Sequence, residues 1–142
     1  VVCGEDRNRS ILILSEPSDT YRYLVSRIAN KALHTSCKDK WFVEIDIPKI
    51  EAGHKFVGET EKYWQEYVVK PAAKKPVVLF FKNMASLIGT GTHSNNDTGI
   101  ESDLAGRITS GELRTIGFMD KFAYAKYRTS RHAYVLSSFA EV

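Results

Sequence analysis

Short apolar runs alternate along this chain with longer stretches whose apolar positions recur every three to four residues. Ile11, Leu12, Ile13 and Leu14 form the first run and read as a strand. Beyond them Leu24, Val25, Ile28 and Ala29 fall on one face of an amphipathic helix. Trp41 to Asp46 (WFVEID) reads as a second strand, followed by a loop from Pro48 through Gly53 to Gly58. Glu59 to Val69 is a helical pattern, with Glu59 and Glu61 in the first turn, where carboxylates complement the helix dipole, and Pro71 beyond its end. Val77 to Phe81 (VVLFF) is apolar throughout, which suits a strand covered on both faces. Gly89 to Gly99 (GTGTHSNNDTG) is a polar, glycine-rich loop with the composition of a disordered segment. A helix is expected around Ile100 to Thr109 and a strand at Leu113 to Phe118. The aromatic segment Phe122 to Tyr127 follows, and Ala133 to Val142 is expected to hold one or two further strands.

Strands alternating with helices at this spacing predict an α/β sandwich around a mainly parallel sheet. The 142 residues suffice for one domain with a core of its own. Apolar content of 43% and charged content of 26% are ordinary for a soluble globular protein. A net charge of +3 is too small and too dispersed along the sequence to argue for nucleic acid. Cys3 and Cys37 give neither a disulfide framework nor paired zinc-ligand spacing, and the four histidines (His34, His54, His93, His132) have no metal-binding spacing, so surface or capping roles are expected for them. His93, Ser94 and Asp97 lie in one polar loop without the strand–turn–helix that a nucleophile needs. No apolar run is long enough to span a membrane. The expected setting is the cytoplasm or an organellar lumen, and the abrupt start at VVCGED is that of a fragment of a longer protein.

The loop after the first strand carries the most pointed chemistry. A strand, an eight-residue loop and an amphipathic helix are the frame of the phosphate-binding motif G-x-x-x-x-G-K-[ST]. In it glycine backbone N–H groups close around phosphates, Lys reaches the β and γ oxygens, and Ser or Thr holds Mg²⁺. Here the loop is SEPSDTYR. Ser15 and Thr20 replace the two glycines, Tyr21 the Lys and Arg22 the Ser or Thr. Cβ atoms at Ser15 and Thr20 disfavour the positive-φ conformations that a phosphate cradle uses. The loop therefore also reads as a plain strand–helix turn, in which Ser18, Asp19 or Thr20 caps a helix starting near Thr20 and Asp19 complements its dipole.

Four blocks in order resemble the first ATPase module of the Clp-type AAA+ unfoldases and disaggregases, the ClpB/ClpC group. SEPSDTYR stands where that family has GEPGVGKT. AGHKFVGETE, Ala52 to Glu61, is similar to its first pore loop, AGAKYRGEFE. VLFFKNMASLIGTG, Val78 to Gly91, is similar to its Walker B strand, ILFIDEIHTLIGAG, and TSGELRTIGFMD, Thr109 to Asp120, to its sensor strand, ARGELRCIGATT. The resemblance covers nearly the whole chain. It implies a three-layer α/β fold of the P-loop NTPase kind, the AAA+ large subdomain, with a mainly parallel sheet of about five strands and no helical lid.

The resemblance also locates what is missing. Lys82 and Asn83 occupy the places of the Asp that organises Mg²⁺ and the Glu that activates water. A cation repels the metal, and an amide is not a base. Phe118, Met119 and Asp120 replace small and hydroxyl residues at the sensor position, and Ser137, Ser138 and Phe139 stand where arginines reach a neighbouring subunit. Asp19 adds an anion beside the phosphate position. Like charges at ~4 Å with an effective dielectric near ~20 repel by roughly 4 kcal/mol, enough to oppose nucleotide strongly. Arg22 and Lys82 would face each other across the old metal site and are expected to splay toward solvent or pair with Asp19. The implied function is a catalytically inactive, pseudo-ATPase module of a Clp-type chaperone assembly. It would hold no catalytic residue, metal or cofactor, and its partners would be proteins, either Clp-like subunits or a sister ATPase module. The alternative is an active unfoldase domain with unorthodox ligands for ATP and Mg²⁺. The pore-loop block Lys55, Phe56, Val57 and Gly58 implies a peptide contact through Phe56; it reads equally as a turn bracketed by Gly53 and Gly58 with Phe56 anchored to the core.

Overall fold

A computed structural model describes residues 10–14, 20–32, 40–53, 57–88 and 99–139 of the chain. Its centre is the VVLFF run, strand β3 (Val77–Phe81), in which Val78, Leu79, Phe80 and Phe81 are all buried. Strand β2 (Trp41–Ile45) flanks it on one side and strand β4 (Arg114–Met119) on the other; β1 (Ile11–Leu14) lies beyond β4. The order β1-β4-β3-β2 is parallel at every pairing. Parallel neighbours cannot be joined by hairpins, so each connection crosses a face of the sheet and carries helices.

Strict alternation in β3 and β4 sorts their side chains between two cores. Val78, Phe80, Ile116 and Phe118 face α1 (Thr20–Ala32), whose Leu24, Val25 and Ile28 pack on them. Phe80 stacks nearly parallel on Phe118 at 6.4 Å between ring centroids. Leu79, Phe81 and Met119 face the opposite layer, where Trp64, Leu104 and Ile108 close the larger core. Helices thus cover both faces of the sheet, the three-layer α/β arrangement expected. Burial of each such Phe or Leu is worth about 1.5–3 kcal/mol, and Thr115 of β4 is buried among them with its Oγ1 lacking a hydrogen-bond partner. One buried polar side chain that has a partner is Ser10, whose Oγ accepts the Thr115 N–H at 2.8 Å and extends the β1–β4 ladder by a rung.

Several expectations are corrected. The sheet has four strands among the described residues, not five, because the C-terminal segment expected as strand is helix α7 (Ala133–Ser137). Val135, Leu136 and Phe139 are all buried there, a spacing that fits one face of a helix; the apolar run was too short for periodicity to decide. The loop expected from Pro48 holds α2 (Ile47–Ala52). Asp46 Oδ1 caps it by accepting the Lys49 N–H at 3.2 Å, and Pro48 sits in the first turn, where a missing N–H costs nothing. The helix expected at 59–69 begins earlier and runs later, as α3 (Val57–Tyr63), a π-helical stretch (Trp64–Val69) and α4 (Lys70–Lys74). Pro71 therefore does not end it. Lys70 N–H bonds to Gln65 O, five residues back, and this wider register relieves the clash that a proline ring makes with the preceding turn.

Helix α5 (Ile100–Ser110) fits its expected span and stops at Gly111, whose φ of 79° is left-handed; Gly111 N–H bonds to Ile108 O and Glu112 N–H to Arg107 O. The aromatic segment after β4 is helix α6 (Lys121–Tyr127). No helical lid lies among the described residues.

A tighter constraint sits at the middle of β4. A Cβ placed on Gly117 would meet Met84 Cγ at 2.4 Å and Leu12 Cδ1 at 3.1 Å, and Met84 is itself fully buried. Gly117→Ala is expected to destabilise the domain by roughly 1–3 kcal/mol through overpacking, and Gly111→Ala by about 1 kcal/mol through its left-handed backbone. Urea midpoints of the two variants against the unaltered chain measure both.

Candidate functional site

Parallel strands deliver all their C-terminal ends to one edge, and open α/β sheets bind ligands outside that edge. Leu14 of β1 pairs with Met119 of β4, and Phe81 of β3 with Gly117. β3 thus ends two residues short of β4, and Lys82 and Asn83 leave the ladder beside the last residues of β4. Thr20 opens α1 after the loop that follows β1, and Asp120 follows β4. Among the described residues, Thr20 at the start of α1, Lys82 and Asn83 after β3, and Asp120 after β4 therefore lie toward one end of the sheet.

Their side chains are taken up locally. Lys82 and Asn83 are exposed. Asn83 opens a 3₁₀ turn (Met84–Ser86): its Oδ1 accepts the Ala85 N–H at 3.2 Å and its carbonyl accepts the Ser86 hydroxyl at 2.7 Å. Asp120 caps α6, with Oδ1 accepting the Ala123 N–H at 2.8 Å. Thr20 and Tyr21 are the first two residues of α1, and Arg22 is exposed on its first turn. Val57 and Gly58 open α3. Ser15, Ser18, Asp19, Lys55 and Phe56 lie outside the described residues, as do the three histidines His34, His54 and His93 and the Ser94–Asp97 loop.

Two polar clusters had not been predicted. Asp103 Oδ2 accepts hydrogen bonds from Trp64 Nε1 at 2.8 Å and Arg107 Nε at 2.9 Å, and Arg107 goes on to Glu112 Oε1 at 2.6 Å and Gln65 Oε1 at 3.4 Å. This network ties the π-helical stretch to α5 and borders a cleft of about 570 Å³ with Glu61, Lys62 and Gly99 among its walls. Burial pushes the Asp103 carboxyl up, but the hydrogen bonds from Arg107 and Trp64 and the guanidinium charge outweigh it and hold it below its ordinary value. The hydrogen bond to Asp103, with the charges of Asp103 and Glu112, holds the Arg107 guanidinium above its own ordinary value. The second cluster places His132 Nδ1 3.0 Å from both carboxylate oxygens of Glu101, which is 3% exposed. His132 is thus a partner to a buried carboxylate, not the surface or capping residue expected. The Asp103–Arg107 pair was visible as an i,i+4 match on a helix. Trp64 to Asp103 and His132 to Glu101 span 39 and 31 residues and leave no local signal.

The arrangement defines a P-loop-type α/β domain built on a parallel sheet. No family model matches the chain. It is similar to the chaperone protein ClpB of Helicobacter hepaticus, at 28% identity over 89% of this chain and 15% of that protein, and to ClpB of Wolinella succinogenes, at 30% over the same shares. The ATP-dependent Clp protease ATP-binding subunit ClpL of Staphylococcus aureus matches 66% of the chain at 29% identity. Among solved structures the Saccharomyces cerevisiae Hsp104–ADP complex superposes with a TM-score of 0.76 over 99% of this chain and 20% of that one, at 18% identity. The chain is a Clp-type AAA+ domain, and it spans about 15% of the length of the first of these relatives. No helix among the described residues is long and apolar enough to cross a membrane.

Because Asp103 is held below its ordinary pKa in the folded state, its contribution is fully present above the ordinary value near ~4 and is lost as pH falls through the folded one. Asp103→Asn is therefore expected to lower the urea midpoint by a constant amount from about pH 5 to 8, with the gap to the unaltered chain closing below about pH 4.

Proposed function

We propose that this chain is a non-hydrolysing Clp-type AAA+ domain, a structural or protein-interaction module within or against a chaperone assembly whose ATP turnover comes from an active partner or sister domain. The observation that carries this reading is Lys82-Asn83 at the end of β3. Phosphoryl transfer there needs one carboxylate to organise Mg²⁺ and another to orient water. The chain offers an exposed ammonium and an amide committed to the 3₁₀ turn. Asp120, the nearest carboxylate in sequence after β4, has one oxygen engaged in capping α6. Tyr21 stands where the phosphate-binding Lys is needed, which removes the charge that would hold a γ-phosphate.

The second reading, an active domain with unorthodox ligands, is favoured by one fact: the similar Hsp104 structure is an ADP complex, and the ClpL relative is named as an ATP-binding subunit. Phosphate release from ATP and Mg²⁺ by the purified chain separates the two. The expected result is release at the buffer background, and no melting shift with ATP beyond that of matched ionic strength. Turnover that disappears in Arg22→Ala or Lys82→Ala, but persists in Lys74→Ala, would replace the first reading by the second.

A further inference from the structure

Tyr63 closes α3 and Tyr67 lies in the π-helical stretch that follows, so the two phenols stand four residues apart on one side of the same helix. Their ring centroids are 4.7 Å apart and their planes 32° from parallel. Neither is buried: Tyr63 is 36% exposed and Tyr67 69%. Beside them opens a hollow of about 490 Å³, walled also by Glu59, Lys62 and Glu66, with room for the rings to turn edge to edge. An aromatic pair at this spacing is ordinary helix packing and carries no meaning alone. What sets this pair apart is the state of the other exposed rings. Lys75 Nζ lies 4.8 Å from the Trp41 ring centroid, and the Arg27 guanidinium lies 5.7 Å from that of Tyr23, to whose hydroxyl it also donates. Lys126 and Arg128 lie over Tyr127 and Tyr124 at 5.2 and 5.9 Å. A positive charge over a ring opposes the loss of an electron from it, because it repels the radical cation that would form. The ring against Tyr67 is instead a second phenol. Of the nearby cations, Lys70 is paired with Glu66, and Lys62 shares the hollow with Glu59.

We propose that Tyr63 and Tyr67 form a site of oxidative cross-linking, joined within one chain when a haem peroxidase turns over hydrogen peroxide. The proposal is independent of the chaperone-assembly reading and of whether ATP is hydrolysed. Each phenol gives one electron to the oxidised haem and its proton to water. The two tyrosyl radicals couple through ring carbons ortho to their oxygens, and the two ortho hydrogens pass to those oxygens and restore both phenols. The sum is one new carbon–carbon bond and the loss of two hydrogen atoms, against one peroxide reduced to two waters. Groups tethered at this range meet at an effective concentration of about millimolar or more, against ~10 µM for two separate chains in dilute solution, so the bond within the chain forms first. Thiols do not reverse a carbon–carbon bond. The link therefore fixes the junction of α3 and the π-helical stretch permanently.

The test treats the purified chain with a haem peroxidase and hydrogen peroxide and follows dityrosine by its blue fluorescence, a denaturing gel and mass spectrometry of tryptic peptides. The product is expected to run as a monomer, with the peptide that begins at Tyr63 lighter by two hydrogen atoms. Its yield should stay constant from about 1 to 30 µM protein, as befits a reaction within one chain. Tyr63→Phe and Tyr67→Phe, which keep the ring and remove the phenol, should each lower the monomer's dityrosine by about tenfold or more. Tyr23→Phe, at an exposed phenol under a guanidinium, should leave it unchanged. Circular dichroism of each variant shows that it folds, and N-acetyltyrosine added to a parallel reaction shows that the oxidant is active. Coupling that appears chiefly as a covalent dimer, that rises in proportion to protein concentration, or that survives Tyr63→Phe would overturn the proposal. So would the absence of coupling in the chain where N-acetyltyrosine couples.

Discussion

The close approach at Gly117 is the constraint on which the rest of the structure turns. Only a residue without a Cβ lets Met84 lie against the middle of β4, with Leu12 of β1 touching the same point. Met84 begins the 3₁₀ turn that Asn83 caps, so its seat on β4 fixes where the backbone goes after β3. The three strands that end at the candidate site are thereby locked at one point: β1 through Leu12, β3 through the turn that follows it, and β4 through Gly117 itself. Interiors packed to crystal density have no slack to absorb a methyl group there. The position of Lys82 and Asn83 is thus a consequence of core packing, whatever their chemistry.

That separation explains which parts of the molecule were legible in its sequence. β3 announced itself because five consecutive apolar residues fit a strand covered on both faces, and α1 because Leu24, Val25 and Ile28 keep helical spacing. α5 was legible at both ends, with Ile100 after a glycine and Gly111 at the stop. The failures share a cause as well. Ala133 to Ser137 and Ile47 to Ala52 are short helices whose apolar residues are chosen by the core they meet, and five or six residues do not span enough turns to display a period. Pro71 misled because its usual effect assumes a regular α-helical ladder, and the π-helical register before it is set by the burial of Trp64, Val68 and Val69 on one side. Position, too, was readable at the candidate site: a motif frame can be followed through substitutions, so the sheet edge receives the predicted segments. The clusters around Asp103 and Glu101 were not, since each joins residues that only the tertiary fold brings within hydrogen-bonding distance.

The polar side-chain bonds of the described residues differ between the sheet edge and the helical layer. At that edge the described polar groups satisfy their own backbone: Asn83 and Asp120 cap the turns they start. Apart from Ser10 and Thr115 in the sheet, the long-range polar bonds lie in the helical layer, where Trp64, Asp103, Arg107 and Glu112 join the π-helical stretch to α5 and where His132 meets Glu101 between α7 and α5. A half-buried carboxylate with two donors is costly to break and cheap to keep, because loss of either donor leaves an anion poorly solvated. Such a network holds helices in register without requiring a ligand to complete it. A nucleotide site has the opposite character, since its donors must stay unsatisfied until the phosphate arrives.

The residue after β4 shows the same use of a polar side chain on its own backbone. An active phosphate site needs positive potential at the ends of β1 and β3, and carboxylates there are tolerated only when a metal ion balances them. Asp120 follows β4, and its carboxylate accepts the N–H of Ala123 and starts the helix that carries Phe122 and Lys126 into solvent. Loss of the cap at Asp120 would loosen the first turn of α6, the turn that presents Phe122, while the sheet, held at Gly117, would stay in place.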